Sequence, residues 1–367
     1  MRRIIAQARK EITQVLRDKL TLVLALVLPI ALLALMGTAI SLSVTDLPIV
    51  VQDMSSTPQS RKYIEAFRAS LTFRIIELPV NEQPEKLLLN NKARAVIIIP
   101  ENFGSDLESG LNTEVQFLVD ASDANTANIM RGAATAVTQN FANGFRAKTA
   151  MPIKANVRLW FNPGRESSVY IAPNMLAVGL SLFPPLLAAL AMSREGEQKT
   201  ILQVYVSSIS AHEYLLGKTL AYFLIAVAEL FLSLVLIYFM FGLSLQGNPT
   251  PFMACSIIYL LCTVSFGIMA GAAIPNQAAA IQVVQIAGFL LSYLLSGAIF
   301  PVANIPFPLN LISYVIPARY YIVVVNDALV RGGTWESVWY IPFALGAIGI
   351  AFFLVAWKSM RLMQVDA

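Results

Sequence analysis

The chain has 367 residues, of which 57% are hydrophobic and only 13% charged, with a formal net charge of +4. A soluble domain carries roughly 25% charged residues, so this composition excludes an ordinary soluble enzyme and points into a membrane. The positive balance does not imply nucleic acid, because six basic residues stand in the first twenty positions, just ahead of an apolar run, which is the positive-inside pattern.

Residues 1–19 place Ile4, Ile5, Ala8, Ile12, Val15 and Leu16 at helical spacing, with Arg2, Arg3, Arg9, Lys10 and Arg17 on the remaining faces. This predicts an amphipathic helix lying in the membrane interface, against the plainer reading of a solvated tail. Residues 20–43 form the first span, long enough for the ~20 apolar residues a crossing needs. Pro29 marks a potential kink. A signal h-region is only about 7–15 residues long, so a retained anchor is expected.

Charge returns over 45–168. Strands are expected at 47–52, 73–78, 93–99 and 114–119, and helices at 59–69, 82–91 and 123–149, which together predict a small α/β domain. Thirteen basic and thirteen acidic residues leave it neutral. Following a first span with a basic flank, it should face outside. Residues 158–164, with Trp160, Phe161 and the turn Asn162-Pro163-Gly164, read as an interfacial anchor or a ligand contact.

Five further spans are expected over 169–192, 220–243, 252–273, 279–300 and 338–357. Pro173, Pro184 and Pro185 predict an irregular second span. Cys255 and Cys262 share one apolar run, so they read as buried apolar residues rather than a disulfide framework. Residues 301–333 are too broken by Pro301, Pro306, Pro308 and Pro317 to span and too apolar for a free loop. They read as re-entrant or interfacial helices, with Ser296 and Gly297 as small residues where helices approach closely. A cytoplasmic tail, 358–367, follows. The fold class is thus an α-helical polytopic membrane protein: six transmembrane helices, an N-terminal interfacial helix, an extracytoplasmic α/β domain and both termini cytoplasmic.

The polar interruption 193–218 reads as a cytoplasmic helical hairpin that docks another protein. Glu195 and Glu197 there either cap a short helix through its dipole or meet a partner's basic residues. Gly217-Lys218-Thr219 is not a phosphate loop, because His212 stands where the loop requires glycine. That histidine is also the only one, which excludes a His-rich metal site and a Ser/His/Asp set. ATP-driven work would therefore need another chain to bind the ATP. Glu229, mid-span, reads as a substrate- or proton-linked site or as an interhelical hydrogen bond to a Ser, Thr, Tyr or Gln; Gln282 and Gln285 share the ambiguity.

SREGEQKT over 193–200, followed by Gly217-Lys218, the LWFNP step over 159–163, and LLSGAIFPVANIPFPLNLISYVIPARYY over 294–321 resemble, in this order, the permease subunit of ABC-2 type ABC transporters, in the group with a long extracytoplasmic domain and multidrug-exporter character. The resemblance implies a coupling segment at Arg194, Glu195, Glu197, Thr200, Gly217 and Lys218, docked on two copies of a cytoplasmic ATPase that hold ATP and magnesium. It implies a path for a hydrophobic or amphipathic cargo along a permease dimer, through spans two and five. No cofactor is expected on this chain. Gly196, Lys199, Leu202 and Ser208 depart from the family's coupling pattern, and from this drift a heterodimer with a second, more regular permease is expected over a homodimer. A periplasmic adaptor and membrane lipid complete the partners. The alternatives are a membrane-anchored ligand-binding or assembly protein acting through its α/β domain, and a proton-coupled secondary transporter.

Overall fold

The structure, a computed structural model, describes residues 1–39, 46–76, 87–88, 93–120, 124–146, 166–206, 209–299 and 302–363. Most of the expected helix 82–91, the aromatic–Asn–Pro step at 160–163, Ser208 and Pro301 lie outside them. The chain divides into a helical unit, Met1–Ser41 with Leu159–Ala367, and a second unit, Leu42–Arg158.

The second unit is an α/β fold. Strands β1 (Leu47–Asp53), β2 (Phe73–Ile76), β3 (Ala95–Ile99) and β4 (Gln116–Val119) form one sheet in the order β2-β1-β3-β4. β1 pairs in parallel with β2 and β3, and β4 closes the edge antiparallel to β3. Successive side chains on a strand alternate between faces, and the sequence fills both. Ile49, Ala95, Ile97 and Ile99 join Tyr63, Phe67 and Phe103 on one side, while Val50 and Val96 meet Leu87 on the other. That two-sided burial is why the β3 run AVIII is continuously apolar. Helix Pro58–Arg68 starts with a capping box between Thr57 and Ser60 and proline in its first turn, as a helix N-terminus favours.

Among the described residues the helical unit holds six helices long and apolar enough to cross a membrane: Lys19–Thr38, Ser167–Glu197, Ala211–Phe241, Thr250–Ala273, Gln277–Leu295 and Trp335–Met360. They are called spans one to six. Spans two and four are the most enclosed. At Gly267 of span four an added Cβ would collide with the backbone oxygen of Pro185, so the absence of a side chain sets how closely these two helices approach.

Span two is broken, as its prolines predict. Helix Ser167–Leu180 stops, and Phe183–Glu197 restarts with Pro184 and Pro185 in its first turn, where a missing N–H costs nothing. Pro173 does not interrupt the first piece. At the break the Ser181 hydroxyl donates to the carbonyl of Gly288, 3.0 Å away. Gly288 lies in a π-helical stretch of span five, Val284–Leu290. A side chain at the break in span two thus satisfies a backbone carbonyl of the irregular stretch in span five, as tolerating such a stretch at membrane depth requires.

Span three begins at Ala211 rather than at 220. Its start is fixed by a capping box between Ser210 and Glu213, a polar signal that outranks the onset of the apolar run. The hairpin expected over 193–218 accordingly narrows to a turn and a short helix, Ile201–Val206, between the ends of spans two and three. Beyond span five, the helices Leu309–Ser313 and Pro317–Asn326, the latter continuing through a π-helical turn to Arg331, precede span six. Cys255 and Cys262 are buried and unpaired.

Candidate functional site: a buried charge cluster at the ends of spans two and three

The N-terminal helix, Arg2–Arg17, packs against span three. Ile5 and Leu16, expected on its apolar face, are exposed, whereas the buried residues are Ala8, Glu11 and Val15. The inward face of this amphipathic helix thus carries a carboxylate, which sequence periodicity did not single out. The signal available was a lone acid at i+3 from Ala8 and i−4 from Val15, on the apolar stripe.

Glu11 meets Lys218. The Lys218 ammonium has no exposed side-chain surface and lies 3.0 Å from Glu11 and 3.4 Å from Glu195. It also donates to the carbonyl of Ala191 at 3.3 Å and sits 5.3 Å from the ring centre of Tyr214. Lys10 reaches the same Glu195 oxygen at 2.7 Å. The hydroxyl of Tyr214 donates to the other Glu195 oxygen, and that of Tyr222 to Glu11 at 3.2 Å. Two carboxylates and two ammonium groups balance in charge, and the three buried members, Glu11, Glu195 and Lys218, have further hydrogen bonds, as a buried ionic group requires.

Gly217 makes the approach possible. An added Cβ would stand 2.7 Å from Cβ of Gln7 and 3.1 Å from the carbonyl of Ile4. At the rim, Arg194 lies 3.6 Å from Asp18 and Arg3 lies 3.5 Å from Glu213. Burial opposes the charge on Lys10, but the bond and field of Glu195, with those of Glu11, more than offset it and lift its pKa above the ordinary lysine value. Hydrogen bonds from Thr21, and then that from Leu20, hold the Asp18 carboxyl below the ordinary range.

All six residues singled out in the coupling segment lie here, and their placement differs from the expectation. Glu195 and Lys218 face the chain's own interior. Glu195 and Glu197 end a helix rather than start one, so its dipole does not favour them. Glu197 instead accepts from the backbone N–H of Gln277 at 3.1 Å and from its side chain at 2.8 Å, at the start of span five. Thr200 donates to the carbonyl of Glu195 at 3.3 Å. Exposed among the described side chains of 194–206 are Glu197, Gln198, Lys199, Leu202 and Val206, the last two being apolar and 52% and 90% exposed.

The intramembrane candidates are not brought together. Glu229 is 1% exposed on the inner face of span three, and neither carboxyl oxygen has a hydrogen-bond partner among the described residues. The interhelical bond expected for it is not formed there. Gln282 and Gln285 are exposed on span five. At the other end of span two, Ser296 donates to the carbonyl of Ser292, and the carbonyl of Gly297 accepts from Tyr170 at 3.3 Å. Pro317 opens the helix Pro317–Asn326, while Pro306 is exposed.

Comparison with known proteins shows the family. The model of a family described as ABC-2 family transporter protein matches residues 19–358. The probable multidrug ABC transporter permease YbhS of Escherichia coli is 27% identical over 342 residues, covering 90% of this chain and 89% of its own. The probable multidrug ABC transporter permease YbhR of the same organism is 24% identical, covering 90% of each chain. The linearmycin resistance permease protein LnrN of Bacillus subtilis is 21% identical across 98% of this chain and its own full length.

Proposed function

Because the chain belongs to the ABC-2 family of transporter proteins, we propose that it is the permease subunit of an ATP-driven exporter coupled to a separate ATPase. Its sequence has no GxxxxGK loop, so ATP and magnesium fall to two copies of a cytoplasmic ATPase subunit, and this chain is not itself the enzyme. The observation that carries the reading is the cluster of buried Glu11, Lys218 and Glu195 with half-exposed Lys10 at its edge. It ties the N-terminal helix to the ends of spans two and three, while Leu202 and Val206 project from the short helix between those ends. A push on that helix would reach both spans through one rigid frame rather than dissipate in a loop.

In this reading the cluster and both termini are cytoplasmic, the α/β domain is extracytoplasmic, and the chain is multi-pass in a bacterial inner membrane. The basic N-terminal flank supports that orientation. A second permease completes the path, a different chain being favoured over a copy of this one. The outer domain leaves room for a periplasmic adaptor. Cargo is hydrophobic or amphipathic, which the multidrug names of YbhS and YbhR support.

The test is ATPase activity and complex retention when the chain is purified with the ATPase it binds, wild type against Leu202→Asp/Val206→Asp. The double change should release the ATPase or uncouple it from transport. Failure of any ATPase to co-purify, with the change silent, would overturn the exporter reading. Glu229, buried without a hydrogen-bond partner among the described residues, favours a second reading, a proton-coupled transporter. Loss of transport in Glu229→Gln without dependence on an ATPase would select it.

A further inference from the structure

At the end of span two away from the charge cluster, a cavity of about 410 Å³ opens between Ser167–Leu180, the end of span five and the helix Pro317–Asn326. One wall is polar but already satisfied. Asn174 is fully buried; its amide donates to the carbonyl of Ala298 at 3.0 Å, and its oxygen accepts from Asn326 at 2.6 Å. Tyr170 is bonded to Gly297.

The remaining donors belong to two guanidinium groups, Arg319 and Arg331. Arg331 lies 3.6 Å from Asp327, whose carboxylate also accepts from Ser337. Arg319 is half-buried, donates to the hydroxyl of Ser313 at 2.7 Å and stacks 3.9 Å above the ring of Tyr314. Among the described residues no carboxylate stands against it. A guanidinium presents five donors in a planar fork suited to carboxylate or phosphate, and here most of that fork has no anion to meet. Val169, Ile322 and Val323 supply apolar wall beside it.

We propose that this cavity is a binding site for the anionic head of an amphiphile, a phosphate or carboxylate held by Arg319 and assisted by Arg331, with the start of its tail against Val323. The volume suits a head group rather than a whole lipid. The pair of arginines outweighs the single aspartate, so a cationic head is disfavoured. The site stands on this chain's own residues and does not depend on the transport reading.

The test titrates dodecyl phosphate into the purified full chain in a neutral maltoside micelle, with dodecyltrimethylammonium as the cation of equal tail. Wild type should bind the phosphate saturably and the ammonium compound far more weakly. Arg319→Gln should weaken phosphate binding about tenfold or more, the effect of removing a charge-assisted bond, and Arg331→Gln should weaken it less. Val323→Trp fills the apolar wall without touching a charge and should also block binding, which keeps the proposal testable if Arg319→Gln fails to fold. Equal affinity for the two amphiphiles, or unchanged phosphate affinity in Val323→Trp and whichever arginine variants fold, overturns it. Repeating the titration in nanodiscs of phosphatidylcholine with and without phosphatidylglycerol separates the sources. Competition by phosphatidylglycerol supports a lipid head group, and its absence supports a free amphiphile.

Discussion

Lys218 and Glu229 lie on one helix, both buried, and their surroundings predict opposite responses to mutation. Lys218 is enclosed by Glu11 and Glu195. Removing its charge in Lys218→Met leaves Glu11 and Glu195 to share the half-exposed Lys10, and a buried pair broken from one side costs about 3–5 kcal/mol. A double-mutant cycle with Glu11→Gln, read by thermal unfolding in detergent, should recover part of that loss, because the second change removes one of the two carboxylates left to share Lys10. Additive losses would show that the groups do not interact. Glu229 has no partner to strand among the described residues. Glu229→Met should therefore leave the melting temperature unchanged or raise it, since an unsatisfied buried polar group costs about 1–3 kcal/mol. A large fall in melting temperature would mean the carboxyl has a bond in the folded protein after all. The cluster also has an alkaline limit. The Lys10 pKa is raised above 10.5, so its contribution is fully present below that value and is lost as pH rises through the raised pKa. Lys10→Gln should remove that alkaline loss of stability, measured by melting temperature against pH.

The elements show which signals reached the sequence and which did not. The six apolar runs announced the spans because length and hydropathy are local properties. The start of span three did not follow its apolar run, because Ser210 and Glu213 carry the helix back to Ala211. That capping box was readable, and it moves Gly217 and Lys218 from a loop onto a helix face. The break in span two was legible in Pro184 and Pro185, but the π-helical stretch around Gly288, whose carbonyl accepts from the Ser181 hydroxyl, had no composition cue. Likewise the strands of the α/β unit were readable one by one as short apolar runs between polar turns, whereas the order β2-β1-β3-β4 depends on long-range pairing that such runs do not encode. The buried charge cluster was half legible. Glu195 and Lys218 stood out as polar residues beside spans, but Glu11 was hidden by the assumption that an amphipathic helix buries only apolar residues. Gly217 tests how the helix is held. Gly217→Leu places carbon where Gln7 and the carbonyl of Ile4 already stand, and overpacking of this kind costs about 1–3 kcal/mol. Hydrogen exchange should then rise selectively over residues 2–17 while span three stays protected. Uniform protection would mean that the N-terminal helix is not seated by this contact.

On the scale of the whole molecule, the polar surface that remains unexplained points to the subunit partner. Gln282 and Gln285 are exposed on span five, one turn apart and therefore on neighbouring faces. Lipid tails offer no hydrogen bonds, and an amide left among them is costly. A second subunit that presents polar side chains removes that cost, as interhelical hydrogen bonds do in membrane helices. Phe239 of span three is also exposed, at 80%, but it is apolar and content in lipid. The two positions should behave differently under oxidative cross-linking. Gln285→Cys, introduced into the chain within its assembled complex, should form a disulfide with the same residue of a second copy or react through a short bifunctional linker with a neighbouring permease. Phe239→Cys should remain monomeric. The native thiols do not confuse the result, because Cys255 and Cys262 are buried. A product of twice the chain's mass indicates a homodimer, and a product containing a different permease indicates the heterodimer expected from the drifted coupling segment. If Gln285→Cys yields no cross-linked product while lipid-phase reagents label it fully, span five faces lipid, and the dimer path must be sought on another face of the bundle.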